Sequence, residues 1–417
     1  MRKLILCLII CSSVLLSCST KKENKNKVTI TFETFEWLPV QQKWMKEFIK
    51  RFEQEHPGIE VKMQFAADNR KVLVEIAGGT APDVFFGGNW DGPNLVLKKS
   101  VIDLMPYIKE DKLDLNQYFT SLIEIFKYDE GLYAFPVFGM SFGLVYNKKI
   151  FDQNKYPYPD ENWTLDDFLK AAIALTKRDA NGKIIHYGTL RPHSWNTMLS
   201  NGGKIFDFQN KKFVINSKQN IETVQFLTDL EKKYKVCPGE AEIQQWGKGG
   251  IIPLFTTGKI AMYVCTSTEI SEFKKTKNLE WGIVPIPKGK KGRIIGIGVG
   301  CLYIASQSKH KKEAWEFVKS YCGETGQTLF AEIAAAGVPS LKKVAYSIYS
   351  GPGNEKNKVF IDALNYLTRD ANLHKLPFWM EIETNIFTPG LDLIYMQKKT
   401  VEKGLEEINN RANELIK

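Results

Sequence analysis

Residues 28–88 decide the architecture: VTITFETFEWLPVQQKWMKEFIKRFEQEHPGIEVKMQFAADNRKVLVEIAGGTAPDVFFGG. Val28-Thr-Ile-Thr-Phe32 alternates as a half-buried strand does. Trp44, Met45, Phe48, Ile49 and Phe52 then fall on one helical face at i, i+4, i+8 spacing. His56-Pro57-Gly58 stops that helix, because proline cannot continue the hydrogen-bond ladder and glycine relieves the backbone. Ile59, Val61, Met63 and Phe65 alternate again. Gly78-Gly-Thr-Ala-Pro82 breaks the chain before a short apolar strand, Asp83-Val-Phe-Phe86. This β-α-β-α-β succession predicts an α/β fold with a mostly parallel sheet covered by helices.

The same pattern recurs downstream without a strict sequence repeat. Thr164-Leu-Asp-Asp167 is a helix start of capping-box type, with Phe168, Leu169, Ile173 and Leu175 as its buried face. Ile221, Val224, Leu227, Leu230 and Tyr234 mark a second amphipathic helix, and Ala314, Trp315, Phe317, Val318 and Tyr321 a third. Phe255–Val264, Trp281–Ile286 and Gly300–Ala305 read as strands. A chain of 417 residues, 43% apolar, builds more than one core, and two α/β lobes are the natural packing.

The N-terminus sets the compartment. Arg2 and Lys3 precede Leu4–Leu16, an apolar run too short to span a bilayer, which needs ~20 residues. It fits the central region of a cleavable export signal. The run ends in Leu15-Leu16-Ser17-Cys18, which resembles a bacterial lipobox, so residues 1–17 are read as signal and Cys18 as the lipid-bearing residue. Residues 18–27 follow as a tether; Ser19–Lys27 holds no apolar residue and cannot bury anything. The expectation is an exported protein, lipid-anchored outside the cell membrane, periplasmic or at the cell surface.

Losing residues 1–17 lowers the formal net charge from +10 to +8. The lysines are scattered apart from Lys288-Gly-Lys-Lys-Gly-Arg293, a solvated turn, so no nucleic-acid partner is expected. Of seven cysteines, Cys7 and Cys11 leave with the signal and Cys18 takes the lipid. Cys237, Cys265, Cys301 and Cys322 show no Cys-x-x-Cys and no histidine at ligand spacing, so no metal or other cofactor is expected. An exported compartment permits a disulfide, and the sequence does not pair these four.

Taken in order, several short motifs resemble those of the family 1 extracellular solute-binding proteins of ABC importers, the group that includes maltose-binding protein. They are Phe48-Ile-Lys-Arg-Phe52 with Pro57-Gly-Ile-Glu-Val61, Ala81-Pro-Asp-Val-Phe85, Gly131-Leu-Tyr-Ala-Phe-Pro136, Tyr146-Asn-Lys148, Trp163-Thr-Leu-Asp-Asp-Phe168 and Asn201-Gly-Gly203. Phe255-Thr-Thr-Gly-Lys-Ile-Ala-Met262, Trp281-Gly-Ile-Val-Pro285 and Lys312-Glu-Ala-Trp-Glu-Phe317 complete the series. None is specific alone; their order behind a lipobox carries the resemblance. It implies a two-lobed periplasmic-binding-protein fold, type II-like, with crossovers near 138–142, 286–295 and 339–341. Residues 28–139 and 288–340 would form the N-terminal lobe, and 140–287 with 341–417 the C-terminal lobe. It also implies a monomer that closes over a small solute by hinge rotation and delivers it to permease transmembrane subunits.

A sugar offers flat C–H patches and rings of hydroxyls, so its site needs aromatic faces beside carboxylates and amides. Such residues cluster where strands are expected to end, the usual ligand edge of open α/β sheets. Glu36-Trp37 follows the first strand, at a position that is a polar ligand contact in the family. Asn89-Trp90-Asp91 follows Phe86-Gly-Gly88. Arg191, His193 and Trp195 match the family loop that carries aromatic or acidic ligand residues; Arg191 reads either as a surface or interlobe salt-bridge residue or, if inward, as suited to an acidic sugar. Thr266-Ser267 stand where relatives often have a tryptophan. Met140 falls in the first crossover, where maltose binders carry an acid, so a linear malto-oligosaccharide is not favoured. Gly298 would let backbone approach the ligand, and Trp379 lies where the C-terminal region supplies a stacking ring, with packing within the lobe as the alternative. Against these, Trp44 and Trp315 are in phase with apolar helix faces and read as core, Trp163 reads as a staple before a helix cap, and Tyr146 and Asn147 as structural.

The competing readings are a binder of another solute, such as a polyamine, metal or peptide, and a secreted glycan-active enzyme. A glycosidase needs two carboxylates held across a bond. Asp166/Asp167 are cap acids and Glu381/Glu383 mere neighbours, and there is no Gly-x-Ser-x-Gly or His-Glu-x-x-His. No enzyme is expected.

Overall fold

The computed structural model describes residues 27–35, 39–66, 69–246, 250–331, 337–351, 354–367 and 373–416. Cys18 with the signal and tether, and the candidates Glu36 and Trp37, lie outside the described residues. Along the chain the strands are β1 (Val28–Phe35), β2 (Ile59–Ala66), β3 (Val84–Gly88), β4 (Phe135–Gly139), β5 (Phe142–Asn147) and β6 (Lys177–Arg178). After them come β7 (Ile184–Thr189), β8 (Ile260–Thr266), β9 (Trp281–Val284), β10 (Val299–Ile304) and β11 (Val338–Pro339). They form two main sheets, ordered β11-β4-β10-β3-β1-β2 and β9-β5-β8-β7-β6.

The opening stretch folds as its periodicity demands. β1 pairs in parallel with β2, Val28 opposite Ile59, and with β3, Phe32 opposite Val84. Helix Pro39–Glu55 lays Trp44, Phe48 and Phe52 against the sheet, where helix Lys311–Cys322 meets them. Their rings interlock: Phe32 to Phe317 at 5.0 Å, Trp44 to Tyr321 at 4.9 Å and Phe52 to Phe317 at 5.2 Å between centroids. Each fully buried ring of this kind contributes about 1.5–3 kcal/mol by leaving water.

Asp83 fixes the sheet edge of this lobe. Its Oδ2 accepts from the Thr31 N–H (2.8 Å) and hydroxyl (2.9 Å), and its Oδ1 from the Ser308 hydroxyl (2.6 Å). One carboxylate thereby ties β1, β3 and the turn after β10.

The sheets are mixed, not mostly parallel as the sequence led us to expect. β10 runs antiparallel to β3 and β4, and β5 antiparallel to β8 and β9; in the second sheet only β7 and β8 are parallel. The reason is the crossing of the chain between lobes. β4 passes through Met140 and Ser141 straight into β5, and β9 returns through residues 285–298 into β10. A strand entering from the other lobe starts at the shared edge and runs away from it, whereas the strands before each crossing run toward it. The C-terminal ends of β1, β3, β7 and β8 therefore face a common cleft, the position at which open α/β sheets bind ligands.

Two expected lobe boundaries shift. Residues 288–295 stay on the second sheet's side. Lys288 exchanges backbone bonds with Trp163 and Leu165 (2.8 and 3.0 Å), and Ser200 bonds both the N–H and C=O of Ile294 (3.0 Å each). The crossing thus falls at Gly296–Gly298 rather than at 288. Helix Lys342–Tyr349, expected in the second lobe, packs on the first: Tyr349 Oη donates to Gly337 O at 2.7 Å and Lys343 pairs with Glu324 at 2.6 Å. Helix Lys358–Ala363 is the one that reaches the second lobe, where Ser141 Oγ donates to Phe360 O at 2.8 Å. The boundary at 341 follows the last strand, and the helix after that strand folds back.

Candidate ligand-binding cleft

Two asparagines hold the crossing strand, one from each side. Asn89 Nδ2 donates to Ile297 O (3.1 Å) and its Oδ1 accepts from Val299 N–H (2.9 Å), while Asn196 Oδ1 accepts from Gly296 N–H (2.8 Å). Both are buried. The Asn89 amide is spent on backbone, so its place is hinge support rather than the ligand contact expected of it. Ser267, 2% exposed, is likewise a hinge residue: its N–H donates to Ser141 O at 2.9 Å. Sequence spacing placed both at strand ends correctly but does not show which polar groups the crossover consumes.

Trp90, Met140 and Gly298 do come together. A Cβ on Gly298 would stand 2.2 Å from Met140 Cε and 3.5 Å from Trp90 Cζ3, and a Cβ on Gly88 would strike the Trp90 ring at 2.3 Å. Only glycines at 88 and 298 let this ring and thioether lie flat on the backbone. Met140 N–H donates to Gly298 O at 2.8 Å. Trp90, Met140 and Gly298 are each half-buried and form a largely apolar floor. Asp91 beside them accepts from Gly88 N–H at 2.9 Å.

On the opposite side a groove of about 470 Å³ opens in the second lobe. Phe142, His193 and Trp195 give it rings, and Thr266, Glu240, Glu383 and Asp392 give it oxygen atoms. β7 delivers residues 190–195 and β8 delivers 266–269. Thr266 donates its N–H (2.8 Å) and its hydroxyl (3.0 Å) to Glu269 Oε1, which caps the turn after β8. Burial raises the pKa of Glu383.

Arg191 does not reach inward as a free cation. Its Nη2 meets Glu231 Oε2 at 2.6 Å and its guanidinium lies 3.8 Å over the Tyr395 ring. The acidic-sugar role that an inward Arg191 would have supported loses its group to this pair. Trp379 is a core residue, 0% exposed, packed against Phe213, Trp195 and Phe387 at 6.3, 5.3 and 5.7 Å. A ring enclosed in this way has no face for a sugar. The C-terminal segment contributes His374 instead, which the sequence reading missed. It stands edge-on to Trp90 (6.3 Å) and to Trp195 (5.4 Å), and so links the two sides of the cleft. Glu240, Glu383 and Asp392 were missed as well; none sits in a motif, and only the tertiary packing brings them to the groove.

The sequence profile of bacterial extracellular solute-binding proteins matches residues 38–328. An arabinooligosaccharide-binding protein of Bacillus subtilis is 24% identical over 355 residues, 76% of each chain. The multiple sugar-binding protein of Streptococcus mutans is 26% identical over 321 residues, 74% of this chain and 75% of its own. In three dimensions the sugar-binding protein MalE of Xanthomonas citri superposes with a TM-score of 0.80 at 19% identity, covering 93% of this chain and 97% of that one. These relatives are binding proteins, not enzymes. With two sheets joined at a cleft and a profile match over most of its length, the chain belongs to the bacterial extracellular solute-binding proteins.

Proposed function

We propose that this protein captures a sugar or oligosaccharide in the cleft between its two sheets and delivers it to the permease subunits of an ABC importer. The observation that carries the reading is the pairing of stacking surfaces with oxygen-rich walls at one strand-end edge. Trp90 and Met140 floor the cleft on one side, and Phe142, His193 and Trp195 line the other beside Thr266, Glu240 and Asp392. Such a mixture suits a ligand with apolar C–H faces and a rim of hydroxyls. Glu36 and Trp37, just beyond β1, are further candidate contacts. Relatives named for arabinooligosaccharides and for multiple sugars support the same ligand class. In this account Cys18 carries a lipid, residues 19–27 are the tether, and the receptor works as a monomer beside its permease. Among the described residues no helix is long and apolar enough to cross a membrane.

Isothermal titration of the purified protein with arabinotriose, mannotriose and raffinose tests the reading. Saturable binding of at least one, with the glycan recovered intact, is the expected result. A heat of binding only with spermidine or peptides would overturn it.

A further inference from the structure

We propose that His374 is the polar determinant of the cleft: set between Trp90 and Trp195, it reads a ligand hydroxyl in a site built for uncharged glycans rather than uronates. The inference rests on the sugar reading above and adds the charge class of the ligand and the residue that selects it. His374 Nδ1 is buried without a partner, and so is the indole Nε1 of Trp195, whose ring centre lies 5.4 Å away. Buried polar groups are otherwise nearly always satisfied, so two orphans side by side in a ligand cleft point to partners that arrive with the ligand.

The charge state of the site follows from its surroundings. Burial and the nearby His193 hold the His374 imidazole down at about 4. At neutral pH this ring is uncharged, and a neutral imidazole offers one donor and one acceptor, the complement of a hydroxyl. Among the described residues, the one arginine or lysine on the groove wall, Arg191, is held by Glu231 and Tyr395. Among the described residues a uronate carboxylate would therefore find no free cation on that wall, and would meet Glu240, Glu383 and Asp392. Like charge in a half-buried groove disfavours it.

Two variants separate hydrogen bonding from packing. His374→Phe keeps a ring between the two tryptophans and removes both nitrogens, whereas His374→Asn keeps a donor and an acceptor. With arabinotriose, mannotriose, raffinose and digalacturonate as probes, wild type is expected to bind a neutral glycan and not digalacturonate. His374→Phe should weaken that binding about tenfold, the worth of one hydrogen bond, without lowering the melting temperature. His374→Asn should recover most of it. Unchanged affinity in His374→Phe, or digalacturonate bound as tightly as the neutral probes, overturns the inference while leaving the sugar reading in place. Failure of wild type to bind any glycan overturns both.

Discussion

Replacing Gly298 by alanine should separate binding from stability. The new Cβ would lie 2.2 Å from Met140 Cε but 3.5 Å from the Trp90 ring. Carbon atoms in contact prefer ~3.5–4.0 Å, so the indole can stay while the Met140 methyl must retreat by roughly 1.5 Å. That methyl ends a flexible side chain, so the folding cost sits at the low end for overpacking, about 1 kcal/mol. In a domain of ordinary size this moves the melting temperature by only about 2–4 °C. The displaced thioether has the cleft to move into. Losing one well-fitted apolar contact there is worth about 1–2 kcal/mol, or roughly a fivefold to thirtyfold rise in Kd. Titration calorimetry with the neutral glycan that wild type binds best, beside a thermal melt, reads both quantities. The double variant Met140→Ala/Gly298→Ala removes the colliding atom and should bind better than Gly298→Ala alone. If Gly298→Ala binds like wild type, or if its affinity falls only in step with a large loss of stability, the floor of the cleft is not where we place it.

Three further outcomes follow from the packing. Asp83→Ala strands the Thr31 N–H and the Ser308 hydroxyl in a buried site, so urea denaturation should show a loss of about 3 kcal/mol at ~1–3 kcal/mol per orphaned group; a loss under 1 kcal/mol would contradict that role. Lys71→Met removes the partner of Glu33, which is 1% exposed. Burial already raises the Glu33 pKa, against the opposing hydrogen bond from Lys71, and the variant raises it further. An acid whose folded pKa is raised contributes less stability as pH climbs from the ordinary carboxylate value to the folded one. The loss should thus be small at pH 4 and grow to about 1–3 kcal/mol by pH 8, below the value for a fully buried pair because Lys71 is partly exposed and screened by solvent. Finally, Cys237, Cys265, Cys301 and Cys322 are buried and unpaired, with burial pushing Cys237 up to about 12 and the others well above the usual thiol range. A thiol reagent at pH 8 should leave all four unmodified until the protein unfolds.

What the sequence revealed was local, and what it concealed was where the chain crosses. Trp44, Phe48 and Phe52 share a helical face by spacing alone, and Thr164 with Asp167 forms the capping box its letters spell. Strand direction is not written in periodicity, because an alternating segment reads alike in a parallel or an antiparallel ladder. The mixed sheets therefore emerged only once β5 and β10 were seen entering from the opposite lobe. The same non-locality governs the site. Trp90 and Trp379 both follow turn-like segments, yet one rests on two glycines at the cleft floor and the other fills a core. Asn89 looked available until its amide was found closing the hinge. His374, in Leu373-His-Lys375, carries no pattern at all; its place between two tryptophans is a product of tertiary packing.

The central claim is that the two lobes close over a glycan. Small-angle scattering of the purified protein, with and without a saturating neutral oligosaccharide that it binds, tests this most directly. A smaller radius of gyration is expected in the saturated sample, since contacts made to both lobes at once favour the closed form. An unchanged radius at saturation would contradict it.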